Sequence, residues 1–129
     1  MPNVLDPAPR TPAVEATPNA LAVFFGLTEE WSLTTDQQIV LLGSPARSTF
    51  FKWKKEGRII SSDIKERVSH LLSIHKSLNI LFSDPKTANS WLRRPNKYFD
   101  EHSALDIMLG GKLRDIYTVR AYIDAQRGG

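Results

Sequence analysis

Apolar residues recur at intervals of three and four along most of the chain, and the rhythm breaks at clusters of Pro, Gly, Ser, Thr and Asp. The run NALAVFFGLTEEW is apolar, with Asn19 able to cap it, and predicts a first helix from that point. In TTDQQIVLLG, Thr34 or Thr35 can accept from the free amides of a second helix, and Asp36 suits its first turn. Ile39, Val40 and Leu42 supply an inner face, and Gly43 suits a left-handed end. Ser44 then reads as the cap of a helix with Pro45 at its first position, running from Ala46 to about Lys55 and stopped by Gly57. From a Ser61/Ser62 cap, Ile64, Val68, Leu71, Leu72, Leu78 and Phe82 mark the longest apolar stripe. Asp84-Pro85 opens KTANSWLRR, which ends ahead of Pro95. RPNKYFDEHS reads as a loop whose Ser103 caps ALDIMLGG, and the last segment places Leu113, Ile116, Val119 and Ile123 on one side. Since no stretch alternates convincingly with period two, the fold class expected is all-α.

Five of the eight prolines lie in the first eighteen residues, which hold almost no large apolar side chains, so residues 1–18 are expected to be a flexible tail. Residues 19–60 form a helix-turn-helix region, 61–82 a long connecting helix and 83–129 a C-terminal domain. The 129 residues, 41% hydrophobic, suffice for one modest core or two small helical ones. There is no cysteine, hence neither a disulfide framework nor a thiolate zinc site. Without a signal peptide or long apolar run, the cytoplasm is the expected compartment.

The net charge of +3 is unevenly placed. Residues 1–34 carry one base against four acids, whereas residues 35–60 carry five bases, Arg47, Lys52, Lys54, Lys55 and Arg58, against Asp36 and Glu56. A basic face beside a turn fits either a phosphate footprint or a solvated helix surface. Two short helices across a Gly-containing turn match the helix-turn-helix arrangement, whose second helix enters the major groove. In that geometry Arg47 is the candidate for bidentate pairing with guanine, Ser48 and Thr49 reach bases or phosphates, and Lys52 and Lys54 bind the backbone. Aromatics at the spacing of Phe50, Phe51 and Trp53 more often anchor a core than stack on bases, so Phe50 and Trp53 are read as packing residues.

In the second half, WLRRPNKYF, SALDIMLGG and VRAYIDAQRGG resemble the toxin-binding module of the Xre/MbcA/ParS antitoxins. In the same order as in that family, LLGSPARSTFFKWKK and ERVSHLLSIHKSLNILF precede them, and the resemblance spans about residues 20–129. It implies an Xre-like helix-turn-helix followed by a small helical toxin-binding domain: the antitoxin of a type II pair, which blocks a toxin and represses its own promoter. The usual partner is a RES-domain toxin that consumes NAD. Matching positions are Trp91, Arg93, Pro95 and Asn96, then Ser103, Leu105, Asp106 and Gly110. Ala104 departs from the family's Ser-Pro-Leu, a small change because Ala also suits a first helical position.

On physical grounds Trp91 and Leu105 are expected in the C-terminal core, with Asn96 and Asp106 fixing caps or loops. The expected toxin-binding set is Arg93, Arg94, Asn96, Lys97 and Tyr98 with the tail Arg127, Gly128 and Gly129, which would enter or cover the toxin's active-site cleft. Catalysis is not expected. His70 and His75 are five apart, off a shared helical face, and neither a phosphate-binding glycine loop nor a metal motif occurs, so no cofactor is anticipated. A homodimer matching a palindromic operator is expected, together with a hetero-oligomer with the toxin and no membrane association. A stand-alone repressor whose C-terminal domain only dimerises, or a pure protein-interaction module, are the other classes open at this point.

Overall fold

Helix α1 runs from Thr11 to Glu30 in the computed structural model, which describes residues 11–57 and 61–128. It is followed by α2 (Thr35–Leu41), α3 (Arg47–Glu56), α4 (Ser62–Leu81), α5 (Pro85–Trp91), a 3-10 turn (Lys97–Phe99), α6 (Ala104–Met108) and α7 (Leu113–Gln126). Among the described residues there is no strand, only an isolated antiparallel bridge between Asn96 and His102, so the chain is all-α. None of these helices is long and apolar enough to cross a membrane.

Local chemistry accounts for most helix starts. Thr34 accepts from the Gln37 amide at 3.1 Å while the Gln37 side chain accepts from Thr34 at 2.9 Å, a reciprocal cap. Ser61 accepts from Ile64, and Asp84 accepts from Lys86 with Pro85 at the first helical position. Ser103 and Asp106 repeat the reciprocal cap at α6.

At α1 the structure corrects the sequence reading. Residues 11–18 are helical, so a tail to residue 18 extends too far, and Asn19 lies inside the helix rather than at its cap; residues 1–10 lie outside the described residues. Pro12 sits in the first turn, where an amide has no helical acceptor, so only Pro18 interrupts the interior ladder.

Helix α4 is the centre of the fold. Its stripe Ile64, Val68, Leu71, Ile74 and Leu78 is buried between α1, which contributes Leu21, Phe24 and Leu27 with Trp31 in the turn after it, and α7, which contributes Ile116, Val119 and Ile123. Each such aliphatic side chain stabilises the fold by about 1.5–3 kcal/mol relative to exposure. Because α4 is flanked on two sides, polar residues also become buried on it, and each finds a partner. The Arg67 guanidinium donates to Asp63 at 2.8 Å, to the Gly111 carbonyl at 2.9 Å and to the Leu41 carbonyl at 3.4 Å. One side chain thereby fastens the end of α2 and the α6–α7 turn to the central helix.

Candidate nucleic-acid face and protein-binding surface

The turn between α2 and α3 is built by two consecutive left-handed residues. Gly43, with φ +94°, donates to the Val40 carbonyl, and Ser44, with φ +62°, donates to Ile39 at 2.9 Å, closing the end of α2 in a Schellman pattern. Ser44 is consumed by that closure and does not cap α3, which corrects the expected cap at Ser44 and helix start at Pro45. Helix α3 begins at Arg47 after an extended Ala46, without a side-chain cap, and ends at a left-handed Gly57 as expected. The uncapped amides of its first turn give that end a polarity that suits phosphate oxygens.

Phe50 is fully buried against Phe25, ring centroids 5.5 Å apart, and Trp53 packs half-buried on the same core. Their anchoring turns Arg47, Ser48, Phe51, Lys52 and Lys55 to solvent on one face, at spacings of one and four. Three of the five residues named from the sequence for DNA contact, Arg47, Ser48 and Lys52, stand together there. Thr49 is half-buried, and Lys54 lies on another side of the helix with its ammonium 5.4 Å from the Phe25 ring centroid. Lys55 and Phe51 belong to the face but were not named, although the four-residue spacing from Arg47 marks both. Arg47 is paired with Asp36 of α2 at 2.6 Å, and its guanidinium lies 5.8 Å from the Phe51 centroid. With both side chains largely in solvent, this pair is worth at most about 1 kcal/mol and can be exchanged for another anion or base edge.

In the C-terminal domain a tight loop carries the remaining candidates. Asn96 accepts from the Tyr98 amide at 2.8 Å and pairs with His102 across the bridge, while Leu105 donates its amide to Leu92 at 2.9 Å. Asn96 and Asp106 are therefore loop-fixing groups, as expected, and Leu105 is buried. A β-carbon at Gly110 would collide with the Asp115 carboxylate, so any larger residue there would displace the group that accepts from the Lys112 amide. Above the loop lies an aromatic group. Trp91 stacks on Tyr122 at 6.2 Å and 14°, and Tyr98, 66% exposed, sits 4.5 Å from the same ring. Trp91 is thus half-buried at the surface of the core, and beside it Leu78, Leu81, Phe82, Tyr122, Ile123 and Gln126 line an apolar cleft of about 220 Å³. Sequence periodicity placed Phe82 and Leu78 on the core stripe and missed Tyr122.

Arg94, Lys97 and Tyr98 are exposed as the contact reading requires. Arg93 and Arg127 are exposed as well, but each is engaged within the fold. Arg93 donates to the Trp31 carbonyl at 2.5 Å and to Ser32 at 3.2 Å, capping the end of α1 beside Asn89, which donates to Glu30. Arg127 donates to the buried Ser77 hydroxyl at 3.1 Å, with left-handed Gly128 after it; Gly129 lies outside the described residues. The histidines diverge as their spacing implied. His70 accepts at Nδ1 from Arg120 at 2.8 Å, and His75 lies 3.2 Å from Glu30.

Two family models match this chain in succession. Residues 12–73 match the antitoxin Xre-like helix-turn-helix domain, and residues 77–129 match the antitoxin Xre/MbcA/ParS C-terminal toxin-binding domain. A protein of Sinorhizobium fredii (strain NBRC 101917 / NGR234), named uncharacterized protein y4oB, is 57% identical over 112 residues, covering 87% of each chain.

Proposed function

Because the chain belongs to the Xre/MbcA/ParS-type antitoxin family, we propose that it neutralises a cognate RES-domain, NAD-consuming toxin and represses its own operon by binding promoter DNA. The observation that carries the DNA half is the solvent face of α3, where Arg47, Ser48, Lys52 and Lys55 project from a helix whose other side is held by Phe50 and Trp53. Arg47 exchanges Asp36 for a guanine edge, while Ser48, Lys52 and Lys55 bind phosphates or flanking edges. Thr49 and Lys54 contribute from the margin. Two chains presenting this helix read a palindromic site, since a single short helix buries little surface.

Toxin contact falls to Arg94, Lys97 and Tyr98 beside the Trp91–Tyr122 stack. Arg93 and Asn96 act by holding that surface in shape, and Arg127, Gly128 and Gly129 follow the toxin's cleft, with Arg127 giving up its bond to the Ser77 hydroxyl. Co-expression with the product of the adjacent reading frame tests the first half: growth rescue and a co-purifying complex are expected, and failure of both leaves only a DNA-binding protein. Deleting residues 127–129 is expected to weaken neutralisation, and unchanged growth rescue removes the tail from the toxin-binding surface. Titration of the promoter fragment against salt tests the second half, with affinity falling steeply as salt rises.

A further inference from the structure

Helix α3 leaves one large ring half in water. Phe51 is 46% exposed, whereas its neighbour Phe50 is fully buried. The ring is seated: its inner edge meets Phe50 at 5.2 Å and 79°, and the Arg47 guanidinium lies 5.8 Å from its centroid. Asp36 grips that guanidinium at 2.6 Å, so carboxylate, guanidinium and ring form a short chain across α2 and α3. Ser48, Lys52 and Lys55 share the exposed face with it.

A lone ring among cations is poor material for a protein interface, which needs a contiguous apolar centre depleted in charge. The major groove offers a better match. Its base edges present donors, acceptors and one apolar group, the 5-methyl of thymine. Arg47 and Phe51 are four residues apart, about 6 Å along the axis, against a rise of about 3.4 Å per base step. The pair therefore spans one or two steps.

We infer that Phe51 buries a thymine 5-methyl group in a base step beside the guanine that Arg47 pairs with. This rests on the reading that α3 enters the major groove, and it adds an apolar specificity contact to the polar ones. Its chemical signature is sensitivity to removal of a methyl group from DNA. Phe51→Ala should leave the fold intact, because the ring is half in solvent, and Phe51→Leu keeps an apolar group at the same place.

The test uses the full chain and its promoter fragment prepared in two forms, one with thymine and one with deoxyuridine throughout, titrated by fluorescence anisotropy at a single salt concentration. The wild type is expected to bind the deoxyuridine fragment about fourfold more weakly for each buried methyl group removed. Phe51→Ala should bind both fragments equally, and Phe51→Leu should retain part of the difference. Equal binding of both fragments by the wild type overturns the inference. So does an undiminished preference in Phe51→Ala, which would trace the effect to altered DNA deformability. If the wild type shows no salt-sensitive binding to either fragment, the DNA-binding reading itself fails and takes this inference with it.

Discussion

Arg47 and Arg93 look alike in the sequence, each beside a turn, yet the structure holds them by different means. Arg47 is held by a carboxylate that is itself 84% exposed, and Arg93 by two main-chain carbonyls at the end of α1. A carboxylate in water releases its partner at little cost, because the ion pair is screened and rehydrated. The part-buried Trp31 carbonyl finds a substitute less readily when it loses its donor, whereas the exposed Ser32 carbonyl can turn to water. The first arginine is therefore poised to change partners and the second to join two parts of the fold. Residue type and charge placement cannot separate these roles, because the difference lies in what the guanidinium meets across remote stretches of chain.

The largest effect expected from that contrast falls on a third arginine, which extends the Arg93 pattern into the interior. Arg67→Ala leaves the Leu41 and Gly111 carbonyls without their donor where the nearly buried guanidinium stood, and frees the half-exposed Asp63 carboxylate to water; it should cost about 3 kcal/mol, chiefly through the two carbonyls. Urea unfolding followed by circular dichroism measures it. A loss under about 1 kcal/mol would mean that water replaces the guanidinium and that Arg67 does not fasten the two halves.

Arg93→Ala comes next, at about 1.5 kcal/mol of stability, the typical worth of a charged hydrogen bond to backbone. It sharpens the comparison because the competing reading, direct toxin contact, predicts unchanged stability with weaker complex formation. Parallel melts and pull-downs of Arg93→Ala and Arg94→Ala separate the two. Arg94→Ala should leave stability unaltered and weaken only the complex.

Arg47→Ala is expected to reverse that balance in the DNA-binding half. Stability should stay within about 0.5 kcal/mol of the wild type, since an exposed pair is removed, while promoter affinity falls about tenfold or more through one missing bidentate contact. Unaltered affinity at fixed salt would remove Arg47 from the reading face.

What the sequence made legible was local. Thr34, Ser61, Asp84 and Ser103 cap the helices they precede, and Gly43 and Gly57 take left-handed ends, because each event involves residues within a turn of one another. The central stripe of α4 was legible for the same reason, its period being set by helix geometry alone. Ser44 was misread because a side chain suited to capping gives no sign that its backbone is already closing the previous helix. The start of α1 was misread because prolines were weighed by number, whereas Pro12 sits where a missing amide costs nothing. At the candidate surfaces, the exposure of Phe51 and the turning of Lys54 toward Phe25 depend on which side of α3 meets α1. Those are facts of packing between segments remote in the chain, and periodicity within so short a helix does not rank its faces when aromatics and lysines alternate.

The finest test of the contrast lies in Asp36. If its carboxylate only occupies Arg47 until DNA arrives, then Asp36→Asn should free the guanidinium, remove a negative charge from the vicinity of the phosphates, and strengthen promoter binding by about two- to threefold at low salt. If the carboxylate instead holds Arg47 at the correct angle against Phe51 during base pairing, the same variant should weaken binding and relax the preference for guanine. The sign of the change thus distinguishes a competitor from a positioning residue. In neither case should stability move by more than about 0.5 kcal/mol, because both partners remain largely in solvent. The group accepting from Arg93 is, by contrast, a main-chain carbonyl, so that no equivalent substitution exists there, and the end of α1 stays fastened whatever α3 is touching.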